Sequence, residues 1–204
     1  MLVGEHMTTS VVCIPPEATV EQARAVMQEH DIRHLPVIDR GRLIGIVARS
    51  DLHWPAAAQP ARELAVAEVM SEHVIAVTPR TTIENAASLM LANKIGALPV
   101  VDEEERLVGI LTESDILSVF LDVMGVGSGA RRIEIRLPDR PGELAPAVRR
   151  IGELGVNIVS VVSAREQNGY RSLVLRLATD DLEPVLNALA DASVEVVSTD
   201  EGDD

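Results

Sequence analysis

Aromatic residues are almost missing from this 204-residue chain, which holds one Trp, one Tyr and one Phe (Trp54, Tyr170 and Phe120). Hydrophobic residues still make up 47% of it, so any cores are aliphatic, and the length suffices for two small domains. The single cysteine, Cys13, excludes an intrachain disulfide, which fits a cytoplasmic protein. Its place in the apolar run 11–14 predicts a core position. No apolar run approaches the length of a membrane span and no signal peptide opens the chain, so no membrane partner is expected.

Positive charge is also scarce. Residues 1–125 carry 9 basic and 18 acidic groups and the remainder 9 and 14, for a net charge of −14. Neither half offers a basic surface, which argues against nucleic acid as a partner. Among the five histidines only His30 and His34 are four apart, and they straddle an expected helix end, so no metal site is predicted. Gly-X-Ser-X-Gly, Walker and Gly-X-Gly-X-X-Gly patterns are absent, and no catalytic residue is assigned. The acidic run at residues 103–105 reads as a solvated turn.

What the chain has in place of these signals is a repeat. Residues 6–52 return as residues 69–116: Met7 matches Met70 and Pro36 matches Pro99, each 63 apart, while Gly45 matches Gly109 and Asp51 matches Asp115, each 64 apart. The single insertion falls in a turn, so these are two copies of one folding unit. Each copy reads as strand, helix, strand, turn, strand, helix. Residues 11–14 are β-rich, Pro15 and Pro16 end that run, and Thr19 with Gln22 forms a capping box; Thr82 and Asn85 occupy the same places in the second copy. Apolar residues at Val20, Ala23, Val26 and Met27, and at Ile83, Ala86, Leu89 and Met90, give each helix one buried face. Runs 35–38 and 43–47, and 98–101 and 107–111, read as hairpins. The two copies are expected to pack on one another with a cleft on either side of a pseudo-two-fold axis.

In the second copy, Gly-Ile-Leu at 109–111 runs from a strand into a helix opening at Thr112 to Asp115. Unpaired N–H groups there favour an anion, the Thr112 hydroxyl suits a phosphate oxygen, and the Asp115 carboxylate suits the paired hydroxyls of a ribose. The same two residues serve equally well as helix caps. Arg33 offers a phosphate fork, or a partner for Asp31, and His34 a group whose charge follows ligand or pH.

The segments LPVID…GIVARSDL and LPVVD…GILTESDI resemble the halves of a CBS-domain pair, or Bateman module, over roughly residues 1–124. Residues 109–115 satisfy the Gly, two apolar, Thr/Ser, two variable, Asp pattern, whereas residues 45–51 depart from it with Ala48. The resemblance implies a base held between the repeats. The first pocket would use Thr112, Asp115 and Ile110, facing Ile14, Ile32, Arg33, His34 and Leu35; a second, weaker one would use Asp51 and Ser50, facing Val77, Ile95, Gly96, Ala97 and Leu98. Loss of one hydrogen bond to a charged group, ~1.5–3 kcal/mol, is why Ala48 marks the weaker site.

The run GVGSGA at 125–130 reads as a flexible linker, and a new pattern follows. Alternation at Ile133, Ile135 and Leu137, an amphipathic helix closed by Gly155, β-rich runs at 156–165 and 170–178 around Gln167-Asn168-Gly169, a helix at 180–192 and a strand at 194–198 give the order βαββαβ. That is a ferredoxin-like sandwich. LPDRPGELA at 137–145 and GVNIVSV at 155–161 resemble an ACT domain. This implies an effector or interface site at Asp139, Gly142, Glu143, Leu144, Asn157 and Ile158, although the charge of Glu143 would repel a carboxylate ligand.

The expected organisation is CBS repeats at 1–60 and 61–124, a linker at 125–130, an ACT-like domain at 131–199 and an acidic tail at 200–204, in an α+β fold. Trp54 and the alanine-rich connector, expected to be helical after Pro60, join the repeats. The joint arrangement resembles the small regulatory proteins associated with acetoin utilisation in bacteria. It implies a non-enzymatic sensor of AMP, ADP or ATP, with S-adenosylmethionine or NAD as alternatives. A homodimer and a regulated protein are its expected partners. A ligand-free oligomerisation scaffold is the alternative.

Overall fold

The computed structural model describes residues 1–52 and 64–199, so Trp54, most of the connector and the acidic tail lie outside the described residues. The chain divides into two compact units, Met1–Leu117 and Ser118 onward. The class is mixed α and β in both.

In the first unit a short helix α1 (Val3–His6) precedes the first copy's α2 (Val20–Glu29), β1 (His34–Asp39) and β2 (Arg42–Ala48). The second copy supplies α3 (Ile83–Asn93), β3 (Ala97–Val101), β4 (Leu107–Thr112) and the opening of α4 (Glu113–Val123), a helix that runs across the division at Leu117. The expected capping box is complete at α2: the Gln22 N–H donates to Thr19 Oγ1 at 3.1 Å and the Thr19 N–H to Gln22 Oε1 at 2.8 Å. At α3 the Asn85 N–H donates to Thr82 Oγ1 at 3.3 Å. Val20, Ala23 and Met27, and Ile83, Ala86 and Met90, are buried. The hairpins are antiparallel, with Arg40 and Gly41 at positive φ in the shorter turn. The inserted residue of the longer turn sits where Asp102 accepts the N–H groups of Glu104 and Arg106.

The leading segment of each copy is folded into the other copy. Val3 and Gly4 donate to the carbonyls of Thr81 and Pro79 at 2.8 and 2.9 Å, and Thr8 bridges Ile110. In mirror fashion Val66 and Ala67 donate to Ala18 and Pro16 at 2.7 and 3.0 Å, and Ser71 bridges Ile46. Val66 accordingly sits in the first copy's core with Ile14, Val20, Leu35 and Val47. Gly109 and Gly45 admit this crossing, because a Cβ on either would overlap the thioether of Met7 or Met70.

The strand expected at 11–14 does not form. Only Ile14 pairs, through its N–H to Pro36 at 3.1 Å and its carbonyl to Ile38 at 3.0 Å, as Val77 does with Val100. Extended residues alternate in direction, so Ile14 takes the core and its neighbour Cys13 points outward. The core position expected for Cys13 is therefore wrong: it is exposed, its thiol donating to Val11 at 3.6 Å. Packing around the sulfur nonetheless pushes its pKa up.

The second unit carries β5 (Arg131–Pro138), α5 (Leu144–Glu153), β6 (Asn157–Ser163), β7 (Tyr170–Ala178), α6 (Glu183–Asp191) and β8 (Glu195–Thr199). The sheet order β6-β7-β5-β8, antiparallel throughout, is that of the ferredoxin-like sandwich. Ile133, Ile135, Leu175 and Leu177 of the sheet pack with Ala147, Ile151, Val185 and Leu189 of the helices in one aliphatic core. Asn168 and Gly169, both at positive φ, make the hairpin turn. The glycine-rich stretch before β5 is tied down: the Ser160 hydroxyl donates to Met124 at 2.8 Å and Arg176 to Ala130 at 3.4 Å.

Candidate functional site

A cavity of about 520 Å³ opens where the two copies meet. Its second-copy wall is Ile110, Thr112 and the first residues of α4, Glu113 to Asp115; Gly96 adds a backbone edge. The first-copy wall is Asp31 to His34, at the end of α2 and the start of β1, with Ala48 to Ser50 after β2. Thr8 and Ser10 to Val12 complete it, placed there by the crossing segment that bridges Thr8 to Ile110.

Six expected residues therefore converge on one space: Thr112, Asp115, Ile110, Ile32, Arg33 and His34. Ile14 and Leu35 do not; both are buried in the first copy's core, and Val11 and Val12 take their place. The residues expected for a second cleft are not brought together. Ser50 and Gly96 line the same cavity as Thr112 and Asp115. Ala97 and Leu98 are buried, Val77 is a core residue beside Val100, and the Ile95 N–H closes the end of α3 on Met90 at 3.1 Å. Asp51 instead caps its own turn, accepting from the Ala48 N–H at 2.8 Å and the Ser50 hydroxyl at 3.3 Å.

The Thr112 turn is closed by its own carboxylate. Asp115 Oδ2 accepts both the Thr112 N–H and hydroxyl at 2.7 Å. Both residues thus cap α4 while facing the cavity. The first copy's turn is the same structure less the hydroxyl, because Ala48 has none. No ion pair joins Arg33 to Asp31 among the described residues. His34 leans on Gly96, where a Cβ would meet its Cε1 at 3.2 Å. That contact explains the asymmetry between the copies: glycine in one makes room for imidazole from the other. Burial lowers the His34 pKa, with help from Arg33, while Glu113 and Asp51 pull it back up.

Sequence reasoning passed over Thr8, Ser10, Val11, Val12, Asp31, Glu113 and Ser114. The repeat offset offered one signal, since it placed Thr8 to Val12 opposite Ser71 to Ile75, but only the crossing shows which wall they join.

In the second unit Asp139 is forked by Arg171, with contacts of 2.9 and 3.0 Å that hold its pKa below the usual carboxylate range. Leu144 and Ile158 pack against the core. Gly142, at φ +91°, and Asn157 are exposed, and Glu143 stands at the N-cap of α5 without a side-chain cap bond.

Two interlocked repeats around a shared cleft, followed by a βαββαβ domain, define a paired-repeat module of the CBS type joined to an ACT-type domain. The CBS domain model matches residues 3–53 and 66–122, and a TTHA0829-like ACT domain model matches 129–199. The chain belongs to the CBS-domain family. It is 39% identical over 106 residues to the inosine-5'-monophosphate dehydrogenase of Korarchaeum cryptofilum, covering 52% of this chain but only 21% of that enzyme. A solved Vibrio cholerae protein named for acetoin utilization (AcuB) is similar at TM-score 0.56 and 32% identity, over 63% of this chain and 96% of that one. CBSX2 of Arabidopsis thaliana, solved in complex with AMP, matches at TM-score 0.53 and 29% identity over 60% and 97%. The CBS pair of MJ0100, in complex with 5'-methylthioadenosine and S-adenosyl-L-methionine, matches at 0.53 and 29% over 59% and 95%. No helix among the described residues is long and apolar enough to cross a membrane.

Proposed function

We propose that the chain is a non-enzymatic cytoplasmic regulator that binds an adenosine-containing ligand, foremost AMP, ADP or ATP, between its CBS repeats. The observation that carries this is the convergence on one cavity of the α4 N-terminus, the Asp115 carboxylate, and Arg33 and His34 from the other copy. With the N–H groups of Thr112, Glu113 and Asp115 bonded within the chain, the Ser114 N–H and Arg33 suit phosphate, and the Asp115 oxygen not used by Thr112 suits ribose hydroxyls. The similar pairs solved with AMP and with S-adenosyl-L-methionine support the ligand class; NAD is a further alternative. The ACT-like domain serves as dimer contact or second input at the surface around Gly142 and Asn157. Regulation of a partner then requires that the ligand bind two states of the chain with different affinity.

The test is thermal unfolding of the wild type and Asp115→Ala against AMP, ADP, ATP, NAD and S-adenosylmethionine. A ligand at ~100 times its dissociation constant adds about 2.7 kcal/mol. The variant starts lower because the α4 cap is lost, so the readout is the ligand-induced shift, expected in wild type and absent in Asp115→Ala. No shift with any ligand supports the second reading, a ligand-free oligomerisation scaffold. One observation favours that reading: the Thr112 hydroxyl is already committed to Asp115.

A further inference from the structure

The two copies place different charges at equivalent positions of the one cleft. The offset that pairs Gly45 with Gly109 pairs Arg49 with Glu113, and the offset that pairs Pro36 with Pro99 pairs Arg33 with Gly96. The structure keeps these equivalences in detail: the Arg49 N–H donates to the Arg33 carbonyl at 2.8 Å, and the Glu113 N–H to the Gly96 carbonyl at 3.1 Å. Both residues line the cavity, so its first-copy wall carries Arg33 and Arg49, the latter donating from Nη2 to the Ile32 carbonyl at 3.1 Å, where its second-copy wall carries a carboxylate. Glu113 reaches well in, its Oε2 lying 3.4 Å from the point where Gly96 would bear a Cβ, with His34 Nε2 3.3 Å from the same point.

The formal balance of the lining is negative. Arg33 and Arg49 stand against Asp31, Glu113 and Asp115, which is 2 − 3 = −1, with His34 uncharged at neutral pH because burial lowers its pKa. Asp115 is committed to the turn and suited to ribose, and Asp31 belongs to the first-copy side. Glu113 is the group that opposes added negative charge from across the cleft. These charges stand at the open cleft, where salt screens them, and each further phosphate adds repulsion from Glu113 to a lining whose formal balance is already negative.

Resting on the reading of the cleft as an adenosine-ligand site, we infer that Glu113 is a specificity-determining residue. It restricts the cleft to adenosine ligands of low net charge, a monophosphate or a sulfonium compound, against a triphosphate. It also fixes one orientation, with the charged end toward Arg33 and Arg49. The reversed pose, with the charged end toward the second-copy wall, would set phosphate against carboxylate.

The experiment is calorimetric titration of AMP, ATP and S-adenosylmethionine, without divalent cation, into the full chain as wild type, Glu113→Gln and Glu113→Arg. The last variant copies the first repeat's residue into the second. Glu113 is exposed, so both substitutions leave the fold intact, which circular dichroism checks. The expected result is AMP bound more tightly than ATP by the wild type, that preference falling roughly tenfold in Glu113→Gln and reversing in Glu113→Arg, with the contrast shrinking as salt is raised. An AMP-to-ATP ratio equal in all three proteins overturns the inference and leaves the nucleotide site standing. Failure of the wild type to bind any of the three removes the site and the inference together.

Discussion

The chain contains its own comparison of a carboxylate-closed turn with and without a hydroxyl, and that comparison can be run in both directions. At α4 the Asp115 carboxylate takes two bonds from Thr112, from N–H and O–H, each at 2.7 Å. At the equivalent turn Asp51 takes the Ala48 N–H at 2.8 Å, and Ala48 has no hydroxyl to add. A hydrogen bond to a charged acceptor contributes ~1.5–3 kcal/mol when well buried. The Thr112 turn is only partly buried, and helix-cap substitutions cost typically ~1 kcal/mol, so Thr112→Val should destabilise by about 1 kcal/mol. Ala48→Thr should stabilise the first copy by a similar amount, since the backbone already holds the carboxylate in place. For a chain of this size 1 kcal/mol moves the melting temperature by about 2–4 °C. The measurement is thermal unfolding followed by far-ultraviolet circular dichroism. Thr112→Val with an unchanged midpoint, or Ala48→Thr with a lowered one, would refute the argument that the hydroxyl strengthens this turn.

Two further outcomes follow from packing and charge. Gly45→Ala and Gly109→Ala should each cost about 1–3 kcal/mol by overpacking in urea titrations. Gly45→Ala should be the worse of the two, because its Cβ also meets the Ser71 carbonyl at 3.3 Å, and a backbone atom cannot swing aside as the Met7 side chain can. His34 has a lowered pKa in the folded chain, so the unfolded chain binds its proton first. Its contribution is complete above about pH 6.5 and is lost as pH falls through the folded value. The urea midpoint of His34→Gln should therefore fall less than that of wild type on acidification below that pH, and parallel profiles would show that His34 does not titrate as the cleft implies.

Local signals carried most of the architecture. Thr19, Gln22 and Thr82 announced helix starts whose bonds lie within three residues of each cap, and Asn168-Gly169 announced its turn, because such features are decided by nearby backbone. The misses have a common cause in long-range placement. Residues 11–14 read as a strand because they are β-rich, yet only Ile14 meets one, at Val37. Cys13 and Ile14 could not be told apart by hydropathy, since which of two adjacent residues faces inward depends on the strand they meet. Ile14 and Leu35 were expected at the ligand because the resemblance to a CBS pair implies apolar walls from both copies; their apolar character sends them to the core instead. The second cleft was inferred from symmetry, and the described residues of its two sides lie apart or in the first cleft.

The crossing of Val3 and Val66 into each other's copies has a consequence for how the two halves became unlike. A single copy on its own would carry a leading segment with nowhere of its own to dock, and a groove shaped for another such segment. Two molecules of it would satisfy one another reciprocally, as a symmetric dimer does, and every residue near the axis would then occur twice. Joining the copies in one chain replaces an encounter that depends on dilution with one that does not. It also releases the axis from identity. Arginine and glutamate at the equivalent positions 49 and 113, and arginine and glycine at 33 and 96, are arrangements that no pair of equal subunits can present.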